Sequence, residues 1–115
     1  MGAIPSFPAS SILRLGNGTR FAYQHDAKFV GNNNIITIFD NGSDGIAGHP
    51  LPTNATQSRG IQLRLNYTSM TVTLEMEFLS PTGLLATSQG NVQSLNNGNK
   101  FLGWGGQWYG EVIHL

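Results

Sequence analysis

The chain has 115 residues, enough for one small domain and too few for two well-cored ones. Charged residues make up only 10%, against about 25% in ordinary soluble domains, and the formal net charge is zero. The six Lys and Arg are scattered, which argues against a basic surface for nucleic acid or an anionic membrane.

Residues 1–10 (MGAIPSFPAS), rich in Pro, Ser and Ala, read as a loose entry segment ahead of one domain over 11–115. They hold neither a basic stretch nor a long apolar core, so no signal peptide is visible in them. Residues 11–15 (SILRL) are a short strand candidate, closed by the turn signal Gly16-Asn17-Gly18. Residues 27–30 and 35–39 are β-favouring runs on either side of Gly31-Asn32-Asn33-Asn34. That spacing predicts a hairpin, because Gly and Asn tolerate positive φ. Residues 41–58 are almost wholly Gly, Pro, Asn, Ser and Thr, and form the longest loop and the expected place of mobility.

The clearest pattern follows. Ile61, Leu63, Leu65 and Tyr67 alternate with polar residues, and so do Val72, Leu74, Met76 and Phe78. Period two on both sides of Thr68-Ser69-Met70 predicts an antiparallel hairpin with one buried face. Residues 91–95, the turn 96–99 and residues 100–104 predict another hairpin, and 111–114 begin a further strand. No segment sustains a period of 3.6, so the fold class expected is all-β, built of antiparallel hairpins. Two stretches also keep register with one another: QHDAKFVGNNNIITIFDNG and QGNVQSLNNGNKFLGWGG match Gln24 with Gln89, Val30 with Leu95 and Phe39 with Trp104. Two copies of a hairpin unit suggest neighbouring blades of part of a β-propeller, each too small to bury its own face.

There is no cysteine, so neither a disulfide framework nor thiolate chemistry is available. Sequons at Asn17, Asn41, Asn54 and Asn66 would be glycosylation acceptors if a signal peptide outside this sequence sent the chain for secretion; otherwise a cytoplasmic location is expected. The three histidines show no metal-ligand spacing, and no cofactor motif occurs. The DNGSDG stretch lacks the later glutamate of a calcium loop and reads as a turn. Neither a nucleophile elbow nor a phosphate loop is present.

Taken together, FAYQHDAKFVGNNNIITIFDNG, SRGIQLRLNYTSMTVTLEMEF and SQGNVQSLNNGNKFLGWGG, in that order, resemble the arylsulfotransferase family in its fungal-type branch, over roughly residues 12–115. The resemblance implies a propeller enzyme that moves a sulfuryl group from a phenolic sulfate ester to a phenol acceptor. A sulfo-histidine carries the group, and no nucleotide donor is used. This chain spans about two blades' worth of that family, so much of the usual catalytic set has no counterpart here. His25, in the QHD motif, is similar to a sulfate-binding histidine of the central channel and is the catalytic candidate. From the residues alone, a second reading is that His25 and Asp26 shape a turn ahead of the strand. Arg59 is a candidate for gripping sulfate, although FDNG is followed here by SDG and the first arginine lies beyond the long loop; a solvated arginine at a strand entrance is its other reading. Trp104 can stack on an aryl group or pack between blades, and Trp108 and Tyr109 share those readings. The partners implied are an aryl sulfate and a phenol, with self-association through exposed sheet edges also open. The alternative function is a non-catalytic binding or assembly module, or a truncated gene product.

Overall fold

A computed structural model of the chain describes residues 13–31, 33–43, 57–80, 82–86, 88–105 and 109–113. Among them all regular structure is β, in eight strands and two sheets. The entry segment 1–10, most of the long loop, His49, Asn54, Trp108 and His114 lie outside the described residues, as does the side chain of Tyr109.

The first sheet has five strands, four of them an antiparallel meander of β2 (His25–Phe29), β3 (Ile35–Asp40), β4 (Arg59–Asn66) and β5 (Thr71–Leu79). Local chemistry makes each turn. Gly31 takes a φ of 68° where the N–H of Val30 closes on the carbonyl of Ile35, as the Asn-rich spacing predicts. At the β4–β5 turn the Asn66 side-chain oxygen accepts the N–H groups of Thr68 and Ser69, each at 3.0 Å, and Met70 turns through a φ of 56°. The second sheet is the antiparallel meander of β6 (Gly90–Ser94), β7 (Lys100–Trp104) and β8 (Tyr109–Ile113).

β1 (Arg14–Leu15) departs from the antiparallel pattern. It lies parallel to β5, with Arg14 opposite Thr71, and its neighbours fill the open carbonyls: Arg14 donates to Met70 and Gly16 to Val72, each at 2.8 Å. An edge strand exposes a row of such groups, and β1 covers part of this one. Only two residues of the SILRL stretch are strand, while Ser11 and Ile12 lie outside the described residues.

Alternation sends the side chains of β3 to two different cores. Ile38 joins Ile61, Leu63, Leu65 and Val72 on one face, against which Leu13 and Phe21 pack. Phe39 joins Phe78, Ala86, Val92, Leu102 and Trp104 on the other, which is the seam between the sheets. The expectation of a single buried face on the β4–β5 hairpin therefore changes. Gly60 and Gln62 are buried as well, and at Gly60 the second sheet packs on the strand. A Cβ at Gly60 would stand 2.9 Å from Leu102 and 3.1 Å from both Phe78 and Val92, so a larger residue would push these side chains apart.

The internal repeat holds in three dimensions. His25 pairs with Phe39 in the first sheet, and Gly90 with Trp104 in the second. Phe39 and Trp104 meet edge to face, with ring centroids 5.5 Å apart at 72°. This arrangement of packed meanders is consistent with part of a propeller-like β fold.

Candidate functional site

The repeat breaks in β2. β2 carries a register shift between His25 and Lys28 that β6 lacks, and inside it Asp26 has a φ of 57°. Such a bulge re-aims side chains and interrupts the ladder. The carboxylate of Asp26 reaches across to accept the N–H of Val92 at 3.0 Å, on the edge of β6 away from β7, and also binds the ammonium of Lys28 at 3.0 Å. The free edges of β2 and β6 are joined there by side chains.

Left-handed backbone gathers at the same spot. Tyr23 (φ 55°), Asp26 (57°) and Gln89 (63°) are three of the four non-glycine residues with positive φ among the described residues, and Gly90 follows at 123°. Each such residue costs on the order of 1 kcal/mol or more, and persists only where its surroundings over-determine it.

His25 sits half-buried inside this ring of strain. Its Nδ1 lies 2.8 Å from Oδ1 of Asn41, and its Nε2 lies 3.3 Å from the backbone N of Gln89. The Tyr23 ring stands edge-on to the imidazole, with centroids 5.4 Å apart. Asn41 is fully buried and donates its amide hydrogens to the carbonyls of Ala86 at 2.7 Å and Gln89 at 2.8 Å. The hydroxyl of Ser58 accepts the N–H of Ala86 at 2.7 Å and has the carbonyls of Asn41 and Ala86 within 2.8 and 3.1 Å. Both meanders and the segment between them thus converge on one imidazole.

Arg59 stands beside this network without touching His25. Its Nε binds the buried carboxylate of Asp40 at 2.9 Å, and Nη1 meets Glu77. Nη2 donates to the carbonyls of Gly18 and Arg20 at 2.9 and 2.8 Å. Burial opposes the charge of the guanidinium, but the hydrogen bonds and charges of Asp40 and Glu77 outweigh it and hold its pKa above the ordinary arginine value. Asp40 in turn accepts the N–H groups of Ala22 and Gly42 at 3.1 and 3.0 Å. Four guanidinium donors are thereby committed to pinning residues 18–22 onto the sheet. Trp104 is 1% exposed and lies in the seam, against Phe39. Of the three residues singled out from sequence, His25 occupies the joint between the sheets. Arg59 pairs with Asp40, the residue before the histidine's partner Asn41, and Trp104 packs on Phe39, the strand partner of His25.

Two members of the site escape a motif search. Asn41 belongs to an Asp-Asn-Gly run that reads as turn chemistry and to a sequon, yet its amide is buried and engaged. Among the other sequons Asn17 and Asn66 are exposed, and Asn54 lies outside the described residues. Gln89 contributes only backbone. A signal for Asn41 did exist: the repeat sets Phe39-Asp40-Asn41 against Trp104-Gly105-Gly106, so the polar pair is as unrepeated as the His-Asp pair. Among the described residues no group of three or more His, Cys, Asp or Glu is placed to hold a metal ion.

A family model described as "Arylsulfotransferase (ASST)" matches residues 8–111. No match is found among curated proteins or among solved structures.

Proposed function

This chain belongs to the arylsulfotransferase family, and on that premise we propose that it serves transfer of a sulfuryl group from a phenolic sulfate ester to a phenol acceptor, with His25 holding the group in flight. In the overall reaction the bond from sulfur to the donor's aryl oxygen breaks and a bond from sulfur to the acceptor's phenolic oxygen forms. The acceptor's proton ends on the departing aryl oxygen, so atoms and charge balance.

The observation that carries the reading is the asymmetry of the two imidazole nitrogens. Nδ1 is held at 2.8 Å by a buried amide, whereas among the described residues Nε2 meets only the backbone N–H of Gln89, at a long 3.3 Å and near the surface. When Nε2 takes a proton, it and the Gln89 N–H become two donors facing one another. Their repulsion opens the contact, an oxygen of an anionic sulfuryl group can then accept from both, and charge-assisted hydrogen bonds to it stabilise the charge that develops during transfer. Asp40 and Arg59 keep the framework under Asn41, and Trp104 braces the seam from the side of β7. The two meanders are read as successive propeller blades, with β2 and β6 towards the channel. The phrases around QHD support the fungal-type branch.

The test is turnover. The purified chain is incubated with a chromogenic aryl sulfate and a phenol, alongside His25→Ala. Release of the chromogenic phenol that falls on the order of 100-fold or more in the variant is the expected result. Equal turnover in both proteins removes His25 from the reaction.

A further inference from the structure

We infer that Asn41 is the positioning residue that sets the tautomer of His25, keeping the proton on Nδ1 and leaving Nε2 open. The relevance of that assignment to sulfuryl transfer rests on the reading of His25 given above. The assignment itself follows from hydrogen-bond geometry.

The orientation of the Asn41 amide is fixed by what it faces. Its nitrogen lies 2.7 Å from the carbonyl oxygen of Ala86 and 2.8 Å from that of Gln89, and both of those groups only accept. Turning the amide over would bring its oxygen against two carbonyl oxygens inside a fully buried site, losing two hydrogen bonds and adding repulsion. The oxygen of Asn41 must therefore point at His25. It cannot donate, so the Nδ1 only 2.8 Å away carries the proton. The other end of the ring agrees independently. The backbone N–H of Gln89 can only donate, so the Nε2 that it faces is unprotonated.

The supports of Asn41 come from both halves of the fold. Ser58, at the start of the segment leading into β4, holds the backbone of Asn41 and Ala86 together. Gln89 presents its carbonyl to Asn41 and its N–H to His25 from a left-handed backbone at φ 63°. A free neutral histidine side chain favours the proton on Nε2, so Asn41 opposes the intrinsic preference of the ring. In doing so it reserves Nε2 for a proton or ligand arriving from outside. Once the ring is cationic, the same contact keeps it oriented through Nδ1–H.

Long-range proton–nitrogen correlation spectra of the ¹⁵N-labelled full chain, at a pH where the imidazole is neutral, read the tautomer directly. His25 is assigned by the resonances that vanish in His25→Gln. The expected wild-type spectrum has a protonated Nδ1 and an unprotonated Nε2. Asn41→Ala should move the Nε2 resonance into the protonated range. An Nε2–H tautomer in the wild type overturns the inference without any Asn41 variant, which guards against variants that fail to fold. An unchanged Nδ1–H tautomer in folded Asn41→Ala overturns it as well. Aryl sulfate turnover on the same preparations separates the two claims. A tautomer that inverts in a chain without turnover sustains the role of Asn41 and defeats sulfuryl transfer. Turnover that depends on His25, with a tautomer indifferent to Asn41, does the reverse.

Discussion

Asp26 joins the edges of β2 and β6 with one carboxylate, and it does so from a φ of 57° that most side chains resist. Asp26→Ala loses a charge-assisted acceptor for Val92 and keeps the backbone strain, so it should lower stability by about 1–3 kcal/mol. Asp26→Asn retains an acceptor and a residue type that tolerates that backbone, and should cost clearly less. Urea midpoints of the two variants check the difference, and equal losses would show that the Val92 contact contributes nothing. His25 and Asp26 were legible in the sequence because they precede the turn chemistry and have no counterpart in the second repeat, where Gly90 and Asn91 stand. The break in the repeat marks Asn41 too, but the role of its amide was hidden for a physical reason. Its amide is satisfied by backbone 45 and 48 residues away, and contacts with main chain leave no pattern in side-chain identity.

At the level of strands and segments, Arg59 decides how residues 18–22 sit on the first sheet. Arg59→Ala would strand Asp40, 1% exposed, without its cation, a loss of about 3–5 kcal/mol out of the roughly 5–15 that a small domain holds. Glu77→Ala removes the other, half-exposed partner and should cost no more than about 1 kcal/mol. Thermal denaturation of the two variants distinguishes a buried pin from a surface pair. The glycines of the second sheet have a similar contrast. A Cβ at Gly90 would lie 2.5 Å from the Phe39 ring at φ 123°, whereas one at Gly98, at φ 88°, meets nothing within 4 Å. Gly98→Ala should then cost only the left-handed penalty of about 1–2 kcal/mol, and Gly90→Ala that penalty plus overpacking of about 1–3. Equal melting temperatures would contradict the close packing of the sheets. Period-two alternation made β4 and β5 readable, and Gly-Asn turns made the hairpins readable. What alternation could not carry was the second buried face at Gly60, because that depends on a sheet more than thirty residues further on, as the partner Val92 shows. Nor could it carry the parallel pairing of β1, two residues long, with β5.

For the molecule as a whole, the two sheets share one seam, and conditions that loosen it should reach the site. Hydrogen bonds from Gln62 and Arg64 hold the Glu75 carboxyl below its usual range, against a smaller opposing effect of burial. A carboxyl with a depressed folded pKa stabilises above its unfolded value, and that contribution is lost as pH falls through the folded one. Glu75→Gln should therefore flatten the acid limb of a urea-midpoint against pH curve, and an identical slope would remove Glu75 as a cause. Among the described strands, β8 pairs only with β7, so self-association through that edge is the proposed behaviour at high concentration. Sedimentation equilibrium should then give a mass that rises with concentration, and a constant monomer mass contradicts it. The central claim, that a sulfuryl anion is held at the joint between the meanders, is tested most directly by titrating the ¹⁵N-labelled chain with phenyl sulfate. The backbone amide of Gln89 and the imidazole of His25 should shift together and saturably. Shifts confined to other surfaces, or binding that His25→Ala leaves intact, would contradict it.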